Sequence, residues 1–215
     1  MLTLYSDGGG QRDSTAASAC IIDSPKLKRP RKIVAYIGPG TNNEAEIIGG
    51  LLGYSFIRLM ISRGHPVSKV RWVCDSEYVL KSATEYIKSW QRNGWKTSNR
   101  KPVKNQSLWR AYLRLSAELD ITPEHVRGHT GHTENEACDG AATWAQMHGP
   151  QLFSGDKQIV KVDGFDEPDG QAWFAINGEP FLAKMREKEG SELGEELCLV
   201  LVELLASFKN GSVGE

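Results

Sequence analysis

The chain has 215 residues, 40% of them hydrophobic and 25% charged, with a formal net charge of −1. These are ordinary globular proportions, and they exclude a collagen-like or intrinsically disordered chain. No uninterrupted apolar run approaches the ~18 residues of a membrane span; the longest, Leu197–Val202, has six residues.

The first residues, Met1 to Asp7, lack the basic region and apolar stretch of a secretory leader. No membrane partner is therefore expected, and a cytoplasmic location is. Cys20, Cys74, Cys138 and Cys198 are scattered without a Cys-x-x-Cys pair and read as reduced thiols. The charge is divided: residues 151–215 hold 13 acids and 6 bases, whereas the first 150 hold 14 acids and 20 bases. A basic body with an acidic tail points to a polyanionic partner for the body.

In chain order, alternating apolar residues predict a strand over Leu2–Ser6, stopped by Asp7-Gly8-Gly9-Gly10. Further strands are expected at Ala17–Asp23 and Lys32–Gly38, around a basic hairpin loop. Thr41-Asn42-Asn43-Glu44 is a capping box opening a helix to about Ser62. A nearly all-apolar strand, Lys69–Cys74, follows and reads as central. A helix from Asp75-Ser76 to about Trp90 comes next, then a basic irregular excursion over 91–104. A helix at Gln106–Leu119, a strand at Ile121–Val126 and a helix opened by Thr133-x-x-Glu136 and ending near Met147 complete the body. The order βββαβαβα predicts a mixed α/β sheet flanked by helices.

After residue 150 the texture changes. Short strands are expected at Gln158–Val162, Ala172–Ile176 and Pro180–Ala183, the last two joined by a type I′ turn at Asn177-Gly178. A helix over Glu192–Phe208 has apolar residues at the 3.6 period. The expected division is a body over 1–148, a linker over 149–156 and a small acidic βββα module over 157–215.

Four carboxylates recur at comparable places. Asp7 and Asp75 follow strands, Glu46 lies in the first turns of a helix, and Asp139 lies in the second turn of another. Convergence of four carboxylates is costly unless a cation compensates them. Magnesium suits an all-oxygen donor set, and two such ions can clamp an in-line phosphoryl displacement. Singly, each residue also has a structural reading: Asp7 as a turn residue, Asp75-Ser76 as a helix start.

Taken together, the motifs resemble type 1 ribonuclease H over about residues 1–148. The resemblance rests on Ser6-Asp7-Gly8, Thr41-Asn42-Asn43-x-x-Glu46, Cys74-Asp75-Ser76-x-Tyr78-Val79 and Gly94-Trp95-Lys96-Thr97. It rests also on Lys101-Pro102-Val103-Lys104-Asn105 with Leu108-Trp109, and on Gly128-His129-x-Gly131-His132 with Glu134-Asn135-Glu136 and Cys138-Asp139. It implies a five-stranded mixed sheet and endonucleolytic hydrolysis of the RNA strand of RNA–DNA hybrids, giving 3′-hydroxyl and 5′-phosphate ends. It implies Asp7, Glu46, Asp75 and Asp139 as ligands of two Mg²⁺, with Mn²⁺ as a substitute, and His129 as a catalytic proton carrier. Imidazole suits that work because its ordinary pKa is near 6.5. A zinc site at His129 and His132 lacks a fourth ligand at suitable spacing.

For substrate, the resemblance implies contacts from Gly8, Asn42, Asn43, Ser76 and Glu77 along the minor groove, where 2′-hydroxyls distinguish RNA. It implies a basic protrusion using Trp90, Trp95, Lys96, Thr97, Lys101, Lys104 and Asn105, in which the tryptophans either pack the base or touch a sugar. Two departures stand out: Glu77 where relatives carry Gln, and Gly9-Gly10-Gln11-Arg12-Asp13-Ser14 after the first acid. A non-catalytic hybrid-binding module would lose acids that are present here. A junction resolvase of similar fold would lack the protrusion and the Gly-His-x-Gly-His loop. For the tail, a protein-docking or self-associating role of the apolar helix stands beside simple packing on its own strands.

Overall fold

The computed structural model describes residues 1–10, 15–27, 29–128, 131–155, 159–162 and 173–187. The elements are β1 (Leu2–Gly10), β2 (Thr15–Asp23), β3 (Arg31–Pro39), α1 (Asn42–Ser62), β4 (Lys69–Cys74) and α2 (Glu77–Lys81). A π-helical stretch, Ser82–Tyr86, joins α2 to α3 (Ile87–Arg92). Then come α4 (Gln106–Leu115), β5 (Asp120–His125), α5 (Thr133–Leu152), β6 (Ile159–Val162), β7 (Trp173–Asn177) and α6 (Glu179–Glu187).

The strands form one mixed sheet in the order β5-β4-β1-β2-β3-β7-β6. β1 lies at the centre, antiparallel to β2 and parallel to β4, and β5 runs parallel to β4 at one edge. Pro123 in β5 fits an edge, where a missing N–H costs no second ladder.

α1 covers one face. Its capping box is formed, with Glu44 N–H donating to Thr41 Oγ1 and Thr41 N–H donating to Glu44 Oε2 at 2.7 Å. Its 18-residue apolar window is hydrophobic enough to span a membrane, but 72% of it is buried inside the protein, as in a core helix. Gly49 allows the close approach, since a Cβ there would lie 2.7 Å from the Asp7 carbonyl oxygen. Trp72, Tyr54 and Tyr112 pack edge-to-face and stacked beneath α1 and α4. α5 covers the opposite face through the small residues Cys138, Ala141, Ala142 and Ala145.

Three local expectations are corrected. β1 does not stop at Ser6 but stays paired with β2 as far as Gly10, which faces Ala16. The turn-prone Asp-Gly-Gly-Gly run is held extended because β2 supplies hydrogen bonds along its whole length. α5 passes Met147 and Pro150 to Leu152, closed by Phe153 N–H on the Gly149 carbonyl at 3.0 Å; Phe153 stacks on Tyr36 with ring centroids 6.0 Å apart. Pro180–Ala183 is not a strand but part of α6. Asn177 Oδ1 accepts from Glu179 N–H at 3.0 Å, so Asn177-Gly178 starts a helix rather than a hairpin.

The five strands β1–β5 form the expected sheet of the body; beyond residue 150, β7 pairs parallel with β3 and β6 antiparallel with β7, extending the described sheet to seven strands. Ile176, Phe181 and Leu182 join the main hydrophobic core. The expected helix Glu192–Phe208 lies outside the described residues.

Candidate active site

The parallel register of β1 and β4 sets Tyr5 beside Val73, and two further residues along each chain bring Asp7 level with Asp75. α1 begins beside β1: a Cβ on Gly8 would overlap the Ala45 carbonyl, so glycine is what lets Glu46 approach Asp7. α5 brings Asp139 in from the other face, one residue past buried Cys138. The four carboxylates Asp7, Glu46, Asp75 and Asp139 therefore line one open cleft of about 230 Å³, with Glu136 beside them. Gly8, Gly9, Gly128, Asn42 and Asn135 fill the wall between them.

Charge and burial act together here. Asp7 is only 8% exposed, and burial, reinforced by Asp75, Asp139 and Glu46, raises its carboxyl pKa to about 7. The Gly8 N–H, donating to Asp7 Oδ1 at 2.6 Å, partly offsets this. Burial also raises the pKa of Glu46, against the opposing hydrogen bond from Ser76. Both Glu46 oxygens are held: Asn42 Nδ2 donates to Oε1 at 2.7 Å and Ser76 Oγ to Oε2 at 2.6 Å. Asn42 Oδ1 in turn accepts from Gly10 N–H at 3.2 Å.

The donor set is all oxygen, and Asp75 adds to burial in raising the pKa of both Asp7 and Glu46, which is the charge problem a hard divalent cation relieves. Among the described residues no three His, Cys, Asp or Glu side chains close into a ready-made metal cage. The carboxylates line the cleft wall instead. His129 lies outside the described residues.

The residues expected to contact substrate divide. Gly8 and Asn42 line the cleft, Ser76 reaches it through Glu46, and Asn43 is exposed at the start of α1. Glu77 is exposed and turned to Lys81, whose Nζ lies 2.9 Å away and holds its carboxyl below the usual range. Residues 95–103 form a tight hairpin, with Lys96 bridged to Pro102 and both the N–H and hydroxyl of Thr97 donating to the Lys101 carbonyl. Trp95, Arg100 and Asn105 have positive φ, which fixes its turns. Lys96, Lys101 and Lys104 are exposed on it. Trp95 is 7% exposed, with the Arg110 guanidinium of α4 4.4 Å from its ring centroid, and it joins the main hydrophobic core, anchoring the hairpin there. Trp90 is half-buried against Trp109.

Gly128 and Asn135 stand within the motif that runs from Gly128 to Asp139 without an expected role, and the expected Thr133-x-x-Glu136 cap is not formed, since His132 is the N-cap of α5 and no side chain caps it. Asn135 is 2% exposed and its Oδ1 lacks a hydrogen-bond partner among the described residues. Glu136 accepts from Gly131 N–H at 2.8 Å, so its side chain closes the preceding loop.

A solved structure of a type 1 RNase H with the type 2 active-site motif, LC9-RNase H1, aligns with a TM-score of 0.58 and 19% identity over 85% of this chain and 80% of that one. The fold is thus the ribonuclease H-like one. The RNase H family model matches residues 1–146. Ribonuclease H of Tolumonas auensis is 36% identical over 158 residues, 71% of this chain and 94% of that protein. Ribonuclease H of Pelobacter propionicus is 40% identical over 105 residues, which span 49% of this chain and 60% of that protein. The chain belongs to the ribonuclease H family.

Proposed function

We propose that this protein is an endoribonuclease that hydrolyses the RNA strand of RNA–DNA hybrids, giving 3′-hydroxyl and 5′-phosphate ends. The convergence of Asp7, Glu46, Asp75 and Asp139 on one cleft carries the reading. Family membership supports the substrate class.

Asp7, Glu46, Asp75 and Asp139 would hold the metal. Two Mg²⁺, with Mn²⁺ able to substitute, would supply water activation and charge neutralisation at phosphorus when bound. The chain's own groups do the rest. Asn42 and Ser76 hold Glu46 from both sides, so its carboxylate is pre-set at the cleft. Gly8 presents its backbone at the cleft wall to a sugar–phosphate backbone, and Asn43 offers an amide to the minor groove. Lys96, Lys101 and Lys104 attract phosphates from an exposed hairpin, while Trp95 anchors that hairpin to the main core. His129 is assigned the proton transfers, for which its ordinary pKa is suited.

A cytoplasmic, reducing setting is part of this reading, supported by the free, buried thiols of Cys20, Cys74 and Cys138. Labelled RNA–DNA hybrid, DNA duplex and four-way junction, incubated in parallel with Mg²⁺, test it. Cleavage of the hybrid's RNA strand alone is expected. Cleavage of the junction, or hybrid binding without any cutting, would overturn the reading.

A further inference from the structure

His125 is a histidine that the site as described does not use. It is the last residue of β5, paired in register with Cys74 of β4. Its ring Nε2 lies 3.0 Å from the backbone carbonyl oxygen of Asp75. A carbonyl only accepts, so Nε2 carries the proton and donates; the contact fixes the tautomer.

The place of this bond matters. The β4–β5 ladder makes its next rung from Val126 N–H to the Cys74 carbonyl at 3.2 Å. Asp75 then leaves the strand, and Ser76 begins α2 as its N-cap. The Asp75 carbonyl thus stands where the chain turns from sheet to helix, and an imidazole takes the place of a backbone donor. Glu77 is the obvious competing acceptor for that ring, but Lys81 holds its carboxylate at 2.9 Å. On the other side Gly128 leaves space for Asp75: a Cβ there would stand 2.8 Å from Oδ2. The Asp75 residue is thereby gripped at its carbonyl while its carboxylate faces the cleft.

We infer that His125 is a positioning residue for Asp75: by holding the Asp75 carbonyl through Nε2–H, it fixes the peptide from which that carboxylate enters the cleft. The inference rests on the proposed nuclease reading for its kinetic consequence, but not for its geometry.

His125→Gln keeps a side-chain N–H that can reach the carbonyl, whereas His125→Leu fills similar space without a donor. With RNA–DNA hybrid as substrate, His125→Leu is expected to lower kcat about tenfold with KM unchanged. Its Mn²⁺ affinity, measured by calorimetry, is expected to fall in parallel. His125→Gln should return both to within about twofold of the parent. The melting temperature is followed alongside, and long-range ¹H–¹⁵N spectra of the imidazole read the Nε2–H tautomer directly.

Equal loss in the Leu and Gln variants, a Leu variant with parental kcat and Mn²⁺ affinity, or a parent ring in the Nδ1–H tautomer would overturn the inference. A parent protein that fails to cut the hybrid yet shows the Nε2–H tautomer and the Leu-specific loss of Mn²⁺ affinity would sink the nuclease reading alone.

Discussion

The Ser76 hydroxyl donates to Glu46 Oε2 across 2.6 Å, tying the start of α2 to the first turns of α1. The same hydroxyl accepts from Val79 N–H at 3.4 Å as the α2 cap. Ser76→Ala should lower kcat about fivefold to tenfold by freeing one Glu46 oxygen, and cost about 1 kcal/mol of stability through the lost cap. Ser76→Thr keeps both bonds and should restore both quantities. Steady-state cleavage and urea unfolding of the pair separate the two effects.

Asp7→Asn and Asp75→Asn are expected to abolish cutting in Mg²⁺ while leaving hybrid affinity within a few-fold of the parent. Binding is measured by fluorescence anisotropy of a labelled hybrid. Full turnover by either variant would contradict the assignment of these acids.

The raised Asp7 pKa has a sign that stability measurements can read. Below about pH 4 the residue is protonated in folded and unfolded chains alike. Between the ordinary value of 3.8 and about 7 the unfolded chain ionises while the folded one keeps its proton. Stability is therefore lost as pH rises through that window, by at most about 4 kcal/mol. In metal-free buffer, Asp7→Asn should match the parent near pH 4 and melt several degrees higher at pH 8. Added Mg²⁺ should close much of that gap by stabilising the parent. A constant difference across pH would show that the group is not perturbed.

Exposed Lys96, Lys101 and Lys104 predict a salt-dependent grip. Replacing all three by Ala should raise KM more than tenfold near 0.1 M salt and flatten the salt dependence of binding by about 2 log units per log unit. kcat at saturation should change little. Trp95→Ala instead removes a buried side chain and should destabilise the hairpin, which proteolysis would detect.

The structure makes the described part of the C-terminal region integral to the sheet. Phe181 and Leu182 are each 2% exposed in the main core, and β7 pairs along β3. Phe181→Ala should cost about 3–5 kcal/mol. A chain ending at residue 155 should be less stable still and prone to self-association, because β3 would present an unpaired edge. A truncated chain with parental urea stability and a monomeric light-scattering mass would refute this.

The body of the fold and its carboxylates were legible because strong local signals coincide with tertiary roles. The Thr41/Glu44 box fixes where α1 begins, and hence where Glu46 lies; the apolar run to Cys74 marks the strand that delivers Asp75. The errors arose where partners distant in sequence decide. Asp7-Gly8-Gly9-Gly10 reads as a turn until β2 is placed beside it. Phe181-Leu182-Ala183 is an apolar stretch too short to separate strand from helix by period, and Asn177 settles it by capping a helix. For Trp95 the sequence left packing and sugar contact open, because aromatic and basic residues alternate there; the structure buries the ring in the main core.

That Asp7 sits within a paired strand, flanked by β2 along its length and by β4 at its start, has one more implication. No loop rearrangement can withdraw this carboxylate while the sheet survives, and no partly opened chain can retain it in place. Loss of cleavage on heating should therefore coincide with melting of the central sheet, so that catalysis serves as a gauge of its integrity.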